Sequence, residues 1–345
     1  MAVKLYLHIG YPKCGSSTVQ EALYINRVAL RDMGYGVCGE KMELMTRRSR
    51  YRFPIGHIFA AAQIVRGGGE VDLEPDFRKL AAKAERAGLK AVICSAENMG
   101  APWAASHVAV AQKYFDCQVI AYLRRQDDWM LSSWAQWQFK RGESLEAYIS
   151  RITGGERDSI YRDTVESYLA AFGAERVHVR PLSRPNMVGG DLVADFWHQT
   201  GVDGSGLEVA KSRNVSFSAE LANTLKESAY LFDNPHDNAL TSYIDEQHKH
   251  RGGIKKPGLS AAQRRHIMAH FGPENDWLEN TVFAGHDLSA WRAVPEEEDE
   301  AALAAKRARD LPSLQGLAEL VNLNTAVLHS IRQDVDRIKA SLGLD

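Results

Sequence analysis

The spacing of apolar residues changes period several times along the chain, and each change marks an element. Val3-Lys4-Leu5-Tyr6-Leu7-His8-Ile9 is short, apolar and β-rich, which predicts a buried strand. From Val19-Gln20-Glu21-Ala22-Leu23 the spacing turns helical and stays so through Leu30. Tyr35-Gly36-Val37 reads as a second strand. Phe53-Pro54-Ile55-Gly56-His57-Ile58-Phe59 leads into an Ala-rich helix, and Gly67-Gly68-Gly69 breaks it. Residues 76–87 form an amphipathic helix that stops at Gly88, a common helix terminator. Ala91-Val92-Ile93-Cys94-Ser95 and Gln118-Val119-Ile120-Ala121-Tyr122-Leu123 are two more apolar strands, and a helix is expected from near Trp129. Later helices are expected at 161–172, 191–200, 218–232 and 260–271, around a strand near 177–180. Strands alternating with helices imply parallel pairing and an α/β sheet.

Between the first strand and the first helix lies Gly10-Tyr11-Pro12-Lys13-Cys14-Gly15-Ser16-Ser17-Thr18. Such a loop points backbone N–H groups and a helix N-terminus at one spot, which suits an anion, above all a phosphate. A Walker A loop places Lys directly after its second Gly. Here Ser16 stands in that place, and the lysine comes earlier, at Lys13. In open α/β sheets ligands bind at the C-terminal ends of the strands. Lys13, Glu97 and Arg124 each follow an expected strand end, so topology directs them to one crevice.

Composition narrows the class. The chain has 345 residues, of which 45% are hydrophobic and 25% charged, enough for one large domain or two small ones. A net charge of −2 argues against a nucleic-acid partner. Cys14, Cys38, Cys94 and Cys117 show no CxxC spacing, which suits a reduced, cytoplasmic protein. Cys14 reads as a small loop filler or as an oxidation-sensitive thiol. No signal peptide and no membrane-spanning apolar stretch is legible. No His, Cys or Asp cluster has metal-ligand spacing.

Two anion-binding motifs in order carry a specific resemblance. Leu7-His8-Ile9-Gly10-Tyr11-Pro12-Lys13-Cys14-Gly15-Ser16-Ser17 resembles the 5′-phosphosulfate loop of sulfotransferases that use PAPS (3′-phosphoadenosine 5′-phosphosulfate). Tyr122-Leu123-Arg124-Arg125-Gln126-Asp127-Asp128-Trp129-Met130-Leu131-Ser132 resembles their 3′-phosphate motif, an Arg with a Ser eight places later. Ser95-Ala96-Glu97 is similar to the Ser-x-Glu of the bacterial and carbohydrate-type members. Tyr161, Val177-His178-Val179-Arg180 and Asp191-Leu192-Val193-Ala194-Asp195-Phe196 also fit. The resemblance covers roughly residues 3–285. It departs at Cys14 and Ser17, where Thr is common, and at Trp134, where Tyr is common.

The resemblance implies a P-loop-like three-layer α/β sandwich with a central parallel sheet. It implies in-line sulfuryl transfer from PAPS to an acceptor hydroxyl, with PAP (3′-phosphoadenosine 5′-phosphate) as product and no metal required. The donor needs two anion sites. Lys13, Cys14, Gly15, Ser16, Ser17 and Thr18 would form the first; Arg124 and Ser132 would form the second through a planar guanidinium contact and a hydroxyl. Arg125 competes with Arg124, and the eight-residue spacing favours Arg124. Lys13 can neutralise charge on the leaving oxygen. A base must take the acceptor proton. His57 is the favoured base, since Gly56-His57 sits where the resembling bacterial proteins carry a His segment; Glu97 is the other candidate. A glycan acceptor is favoured by the resemblance and by the rings of Trp129, Trp134, Trp137 and Phe139, which equally suit a core. The competing classes are a kinase with a variant P-loop and a non-catalytic oligomeric nucleotide-binding scaffold. The missing lysine after Gly15 and the Arg124/Ser132 pair weigh against the kinase.

Two basic stretches, 46–52 and 249–256, read either as lids over the site or as surface loops. Pro295-Glu296-Glu297-Glu298-Asp299-Glu300 is an acidic linker separating a catalytic domain, 1–294, from a C-terminal helix, 301–345. In that helix Leu314, Leu317, Val321, Asn324, Leu328, Ile331, Val335, Ile338 and Leu342 alternate in steps of three and four. This heptad seam predicts a coiled-coil-like helix that joins subunits.

Overall fold

A computed structural model describes residues 2–49, 56–210, 222, 225–227, 229–242, 258–294 and 314–343. The chain divides into two compact units that interleave in sequence: residues 1–129, 158–212 and 270–293 form the first, and 130–157, 213–269 and 294–345 the second.

The first unit is built on a five-stranded sheet: β1 (Lys4–Ile9), β2 (Tyr35–Val37), β3 (Ala91–Ala96), β4 (Asp116–Leu123) and β5 (Val177–Pro181). Their order is β2-β3-β1-β4-β5, and every pairing is parallel. β1 is central, with Leu5 registered against Val92 on one side and Cys117 on the other. A parallel sheet carries helices on both faces, so its strands are apolar on both sides instead of alternating. Tyr6, Ile93, Ile120 and Tyr122 form a core with Val19 and Leu23 of the helix Ser16–Ile25 and with Phe196 and Trp197 of the helix Leu192–Thr200. On the other face the helix Arg162–Phe172 lies on β4 and β5 beside the helix Pro102–Val108. Each large apolar side chain buried this way contributes about 1.5–3 kcal/mol. The result is the expected α/β architecture with a central parallel sheet.

Two departures from the sequence reading have clear causes. The expected helix through Leu30 divides at Asn26 into Ser16–Ile25 and Arg27–Asp32. The Asn26 amide donates to the Ala22 carbonyl at 3.0 Å and the Glu208 carbonyl at 2.9 Å, and accepts from the Glu208 N–H at 2.8 Å. A side chain so bound competes with helical backbone bonding. The helix expected at 260–271 runs Ala261–His270, and a second, Gly272–Thr281, follows it with proline in its first turn.

That second helix supplies a cap that no local pattern could reveal. Glu274 is buried, and its Oε1 accepts from the backbone N–H groups of Ile160 (2.9 Å), Tyr161 (2.6 Å) and Arg162 (3.0 Å). A carboxylate there satisfies N–H groups left open at the start of the helix Arg162–Phe172 and meets its positive end. It also fixes Tyr161.

In the second unit a π-helical turn, Trp134–Gln138, precedes the buried Lys140. The Lys140 ammonium donates to the Asp237 carbonyl at 2.6 Å and to Asn238 Oδ1 at 2.8 Å. The C-terminal helix spans Leu314–Leu342. Seven apolar seam residues are exposed: Leu317 47%, Val321 62%, Leu328 67%, Ile331 52%, Val335 44%, Ile338 56% and Leu342 65%. Among the described residues of this helix, Gly316 and Leu323, one heptad apart and off the seam, are buried. Residues 50–55, residues 218–221, 223, 224 and 228 of the expected helix 218–232, the basic stretch 249–256 and the acidic linker 295–300 lie outside the described residues. No helix among the described residues is long and apolar enough to cross a membrane.

Candidate active site

The loop after β1 holds an unusual backbone. Lys13 has φ 64° and Gly15 φ 87°. The left-handed region is costly for a residue with a Cβ, and such strain collects at functional sites. Gly15 is the N-cap of the helix Ser16–Ile25, which has no side-chain cap and no acidic residue in its first turn. A Cβ on Gly15 would lie 2.4 Å from Leu192 Cδ2. Open N–H groups and the positive helix end therefore face the loop, the requirement for an anion cradle.

The turn after β3 is pressed against this loop. Glu97 opens a 3-10 turn, Glu97–Met99, that ends at Gly100. A Cβ on Gly100 would approach the Gly10 carbonyl oxygen to 2.9 Å and Tyr11 Cα to 3.1 Å, so only glycine permits the contact. Glu97 is open to solvent on one side, yet crowding by the loop raises its pKa, offset by the Lys13 ammonium and the Ser16 hydroxyl. Burial lowers the Lys13 pKa, the Arg124 guanidinium lowers it further, and Glu97 raises it. Lys13 thus lies within the field of both Glu97 and Arg124, which brings these three strand-end side chains together around Lys13.

Arg124 and its neighbour are separated by their partners. Arg125 makes a two-pronged bond to the buried Asp127, Nε to Oδ1 at 2.8 Å and Nη2 to Oδ2 at 2.7 Å. It also donates to the carbonyls of Ala290 (2.9 Å) and Ala293 (2.6 Å). Arg125 is a structural tie, while Arg124 faces Lys13 and Cys14. Ser132 lies on the helix Gln126–Ser133, among the residues of the second unit.

Cys14 is buried beneath the loop, with Sγ 3.8 Å from the Tyr161 hydroxyl. Burial pushes its thiol up to about 11. The thiolate is the reactive form, so a buried thiol of this kind fits the loop-filler reading better than the oxidation-sensitive one. Tyr161 is fully buried; its hydroxyl donates to the Arg124 carbonyl at 2.6 Å, and its own carbonyl accepts from the Tyr11 hydroxyl at 3.2 Å. The Trp129 indole donates to the Pro12 carbonyl at 2.9 Å. Trp129, Trp134 and Phe139 are buried, so these three rings are core and give no support to a sugar platform.

His57 lies in the first turn of the helix Gly56–Arg66, which packs against the Glu97–Met99 turn. Its N–H donates to the Glu40 carbonyl at 2.9 Å, and its Nε2 meets Asp76 Oδ2 at 2.8 Å. His8, by contrast, is a core residue: its Nδ1 bonds the Ser95 hydroxyl at 2.7 Å, and burial pushes its pKa down to about 3. The sequence offered no signal for Asp76, Glu274 or Tyr161's link to Arg124, since each acts across long sequence separation.

No protein-family model matches the chain. No curated protein matches it either. Among solved structures it is similar to the crystal structure of a sulfotransferase from Alicyclobacillus acidocaldarius, at 15% identity and a TM-score of 0.38, over 85% of this chain and 100% of that one. A likeness of that degree carries no weight for activity, so the functional reading stands on the loop, the strand-end charges and their geometry.

Proposed function

We propose that this protein is a PAPS-dependent sulfotransferase acting on a hydroxyl acceptor, with a glycan as the favoured class. The observation that carries the proposal is the convergence of Lys13, Glu97 and Arg124 beside an uncapped helix N-terminus. Two cations and a set of open N–H groups suit a donor with two anionic ends. Lys13, Cys14, Gly15, Ser16, Ser17 and Thr18 would form the cradle of the 5′-phosphosulfate. Arg124 would take the 3′-phosphate, with Ser132 as its partner on the strength of sequence spacing alone.

Catalysis then divides among few groups. Lys13 stabilises negative charge on the leaving oxygen, and donors preset around developing charge are usually a large catalytic term. Glu97 lies in the field of the Lys13 ammonium, and we assign the base to His57. Four buried free thiols suit a reducing compartment, and we place the protein in the cytoplasm. Calorimetry with PAP and with ATP tests the reading: PAP should bind and ATP weakly or not at all. Tight ATP binding with indifference to PAP would establish the variant P-loop kinase instead.

We also propose that the helix Leu314–Leu342 joins copies of this chain. Its seam is exposed, whereas Leu323 off the seam is buried. Leucine at a with isoleucine at d leans toward bundles of three or four helices. Asp334 at g and Lys339 at the next e give complementary charges between parallel copies.

A further inference from the structure

We infer that Asp76 is a positioning residue for the base: it holds His57 in one tautomer and aims Nδ1 at the acceptor. The inference rests on the sulfotransferase reading, with His57 as base. Asp76 stands in the first turn of the helix Glu74–Arg86, and its Oδ2 lies 2.8 Å from His57 Nε2. The pair is partly open, with side-chain exposures of 42% for His57 and 22% for Asp76. An exposed ion pair alone contributes little to stability, so a helix tie is a weak reason for the pairing. A tautomer lock has a stronger chemical basis. A carboxylate can only accept, so Nε2 carries the proton and Nδ1 presents its lone pair. A carboxylate behind a basic histidine also steadies the imidazolium that forms when the base is protonated.

The position is right for this role. β2 borders β3, and Glu97 lies at the C-terminal end of β3. His57 follows β2 in the chain, is held by the Glu40 carbonyl, and starts a helix that packs against the Glu97 turn. In the transfer step the acceptor O–H gives its proton to His57 Nδ1. The acceptor oxygen forms the new bond to sulfur, and the sulfur–oxygen bond to the 5′-phosphate breaks with its electron pair on the phosphate oxygen. Asp76 keeps its bond to Nε2–H throughout.

Two measurements on the full chain test the inference. Long-range proton–nitrogen NMR correlations should show His57 as the Nε2–H tautomer, and a mixture of tautomers in Asp76→Ala. Identical tautomer populations in both would overturn the lock. Release of PAP from radiolabelled PAPS, with water and with simple mono- and disaccharides as acceptors, gives the second readout. Asp76→Asn should lower kcat by about tenfold to a hundredfold, below the loss expected on removing the base itself, with PAP affinity unchanged. The Asp76→Asn/His57→Ala double variant should be no slower than His57→Ala, because the two act as one unit. Additive losses, or full activity in Asp76→Asn beside a dead His57→Ala, would sink the inference and leave the sulfotransferase reading intact. Failure of the unaltered protein to bind PAP would instead refute that reading, while the NMR experiment would still decide the His57–Asp76 geometry.

Discussion

The Tyr161 hydroxyl donates to the carbonyl of Arg124 at 2.6 Å and lies 3.8 Å from Cys14 Sγ. One buried phenol therefore joins the loop after β1 to the turn after β4, the two places where the proposed donor's anionic ends would bind. Tyr161→Phe keeps the ring but leaves the Arg124 carbonyl without that donor. Loss of one partner of a buried hydrogen bond costs about 1–3 kcal/mol. Urea unfolding should show a loss in that range, and calorimetry should show weaker PAP binding. Unchanged PAP affinity would mean that the tie serves stability alone.

Lys13→Ala should reduce turnover more than PAP affinity. Its charge is most useful when the leaving oxygen becomes anionic, so the interaction strengthens in the transition state. Comparing kcat/KM with the PAP dissociation constant decides the matter. Equal losses in both would make Lys13 a plain binding residue.

Arg124→Ala should weaken PAP by about 1.5–3 kcal/mol, the range for a hydrogen bond to a charged group. It should affect a nucleotide lacking the 3′-phosphate far less. Arg125→Ala should leave that discrimination alone and lower stability, because its bonds run to Asp127, Ala290 and Ala293. Reversed phenotypes would exchange the two assignments.

Acid should destabilise the first unit through His8. Its pKa is lowered from 6.5 to about 3 by burial. The unfolded chain takes up this proton below about 6.5, while the folded one resists until about 3. Stability from the neutral core histidine is therefore complete above the higher value and is lost as pH falls toward the lower one. Urea unfolding across that window should show a contribution from His8 of up to about 1.4 kcal/mol per pH unit. His8→Gln should flatten the slope, and an unaltered slope would assign the effect to other groups.

Self-association should depend on the exposed seam. Leu328→Glu with Ile331→Glu places charge at one a and one d position, both open to solvent in the single chain. Light scattering should report a smaller particle with unchanged circular dichroism. Deleting residues 301–345 should have the same effect and keep PAP binding. An unchanged particle mass, allowing for the deletion, would remove the helix from the assembly.

Much of this protein is legible in one dimension because its determinants are local. The strands β1, β3 and β4 are continuous apolar runs, as burial on both sheet faces requires. The loop from Gly10 to Ser16 announces itself through closely spaced glycines and hydroxyls. Strand and helix alternation then forces parallel order, which alone directs Lys13, Glu97 and Arg124 to the same sheet edge. Partner choice is a different kind of information. Arg124 and Arg125 are adjacent and chemically identical, and only the buried Asp127 with two distant carbonyls separates them. His57 acquires Asp76, and Tyr161 acquires both Glu274 and Arg124, through contacts between elements that meet after the chain folds. Hydrophobic periodicity reports which face of an element is buried. It carries no record of which hydrogen-bonding group waits there, and that pairing was decided by the tertiary structure.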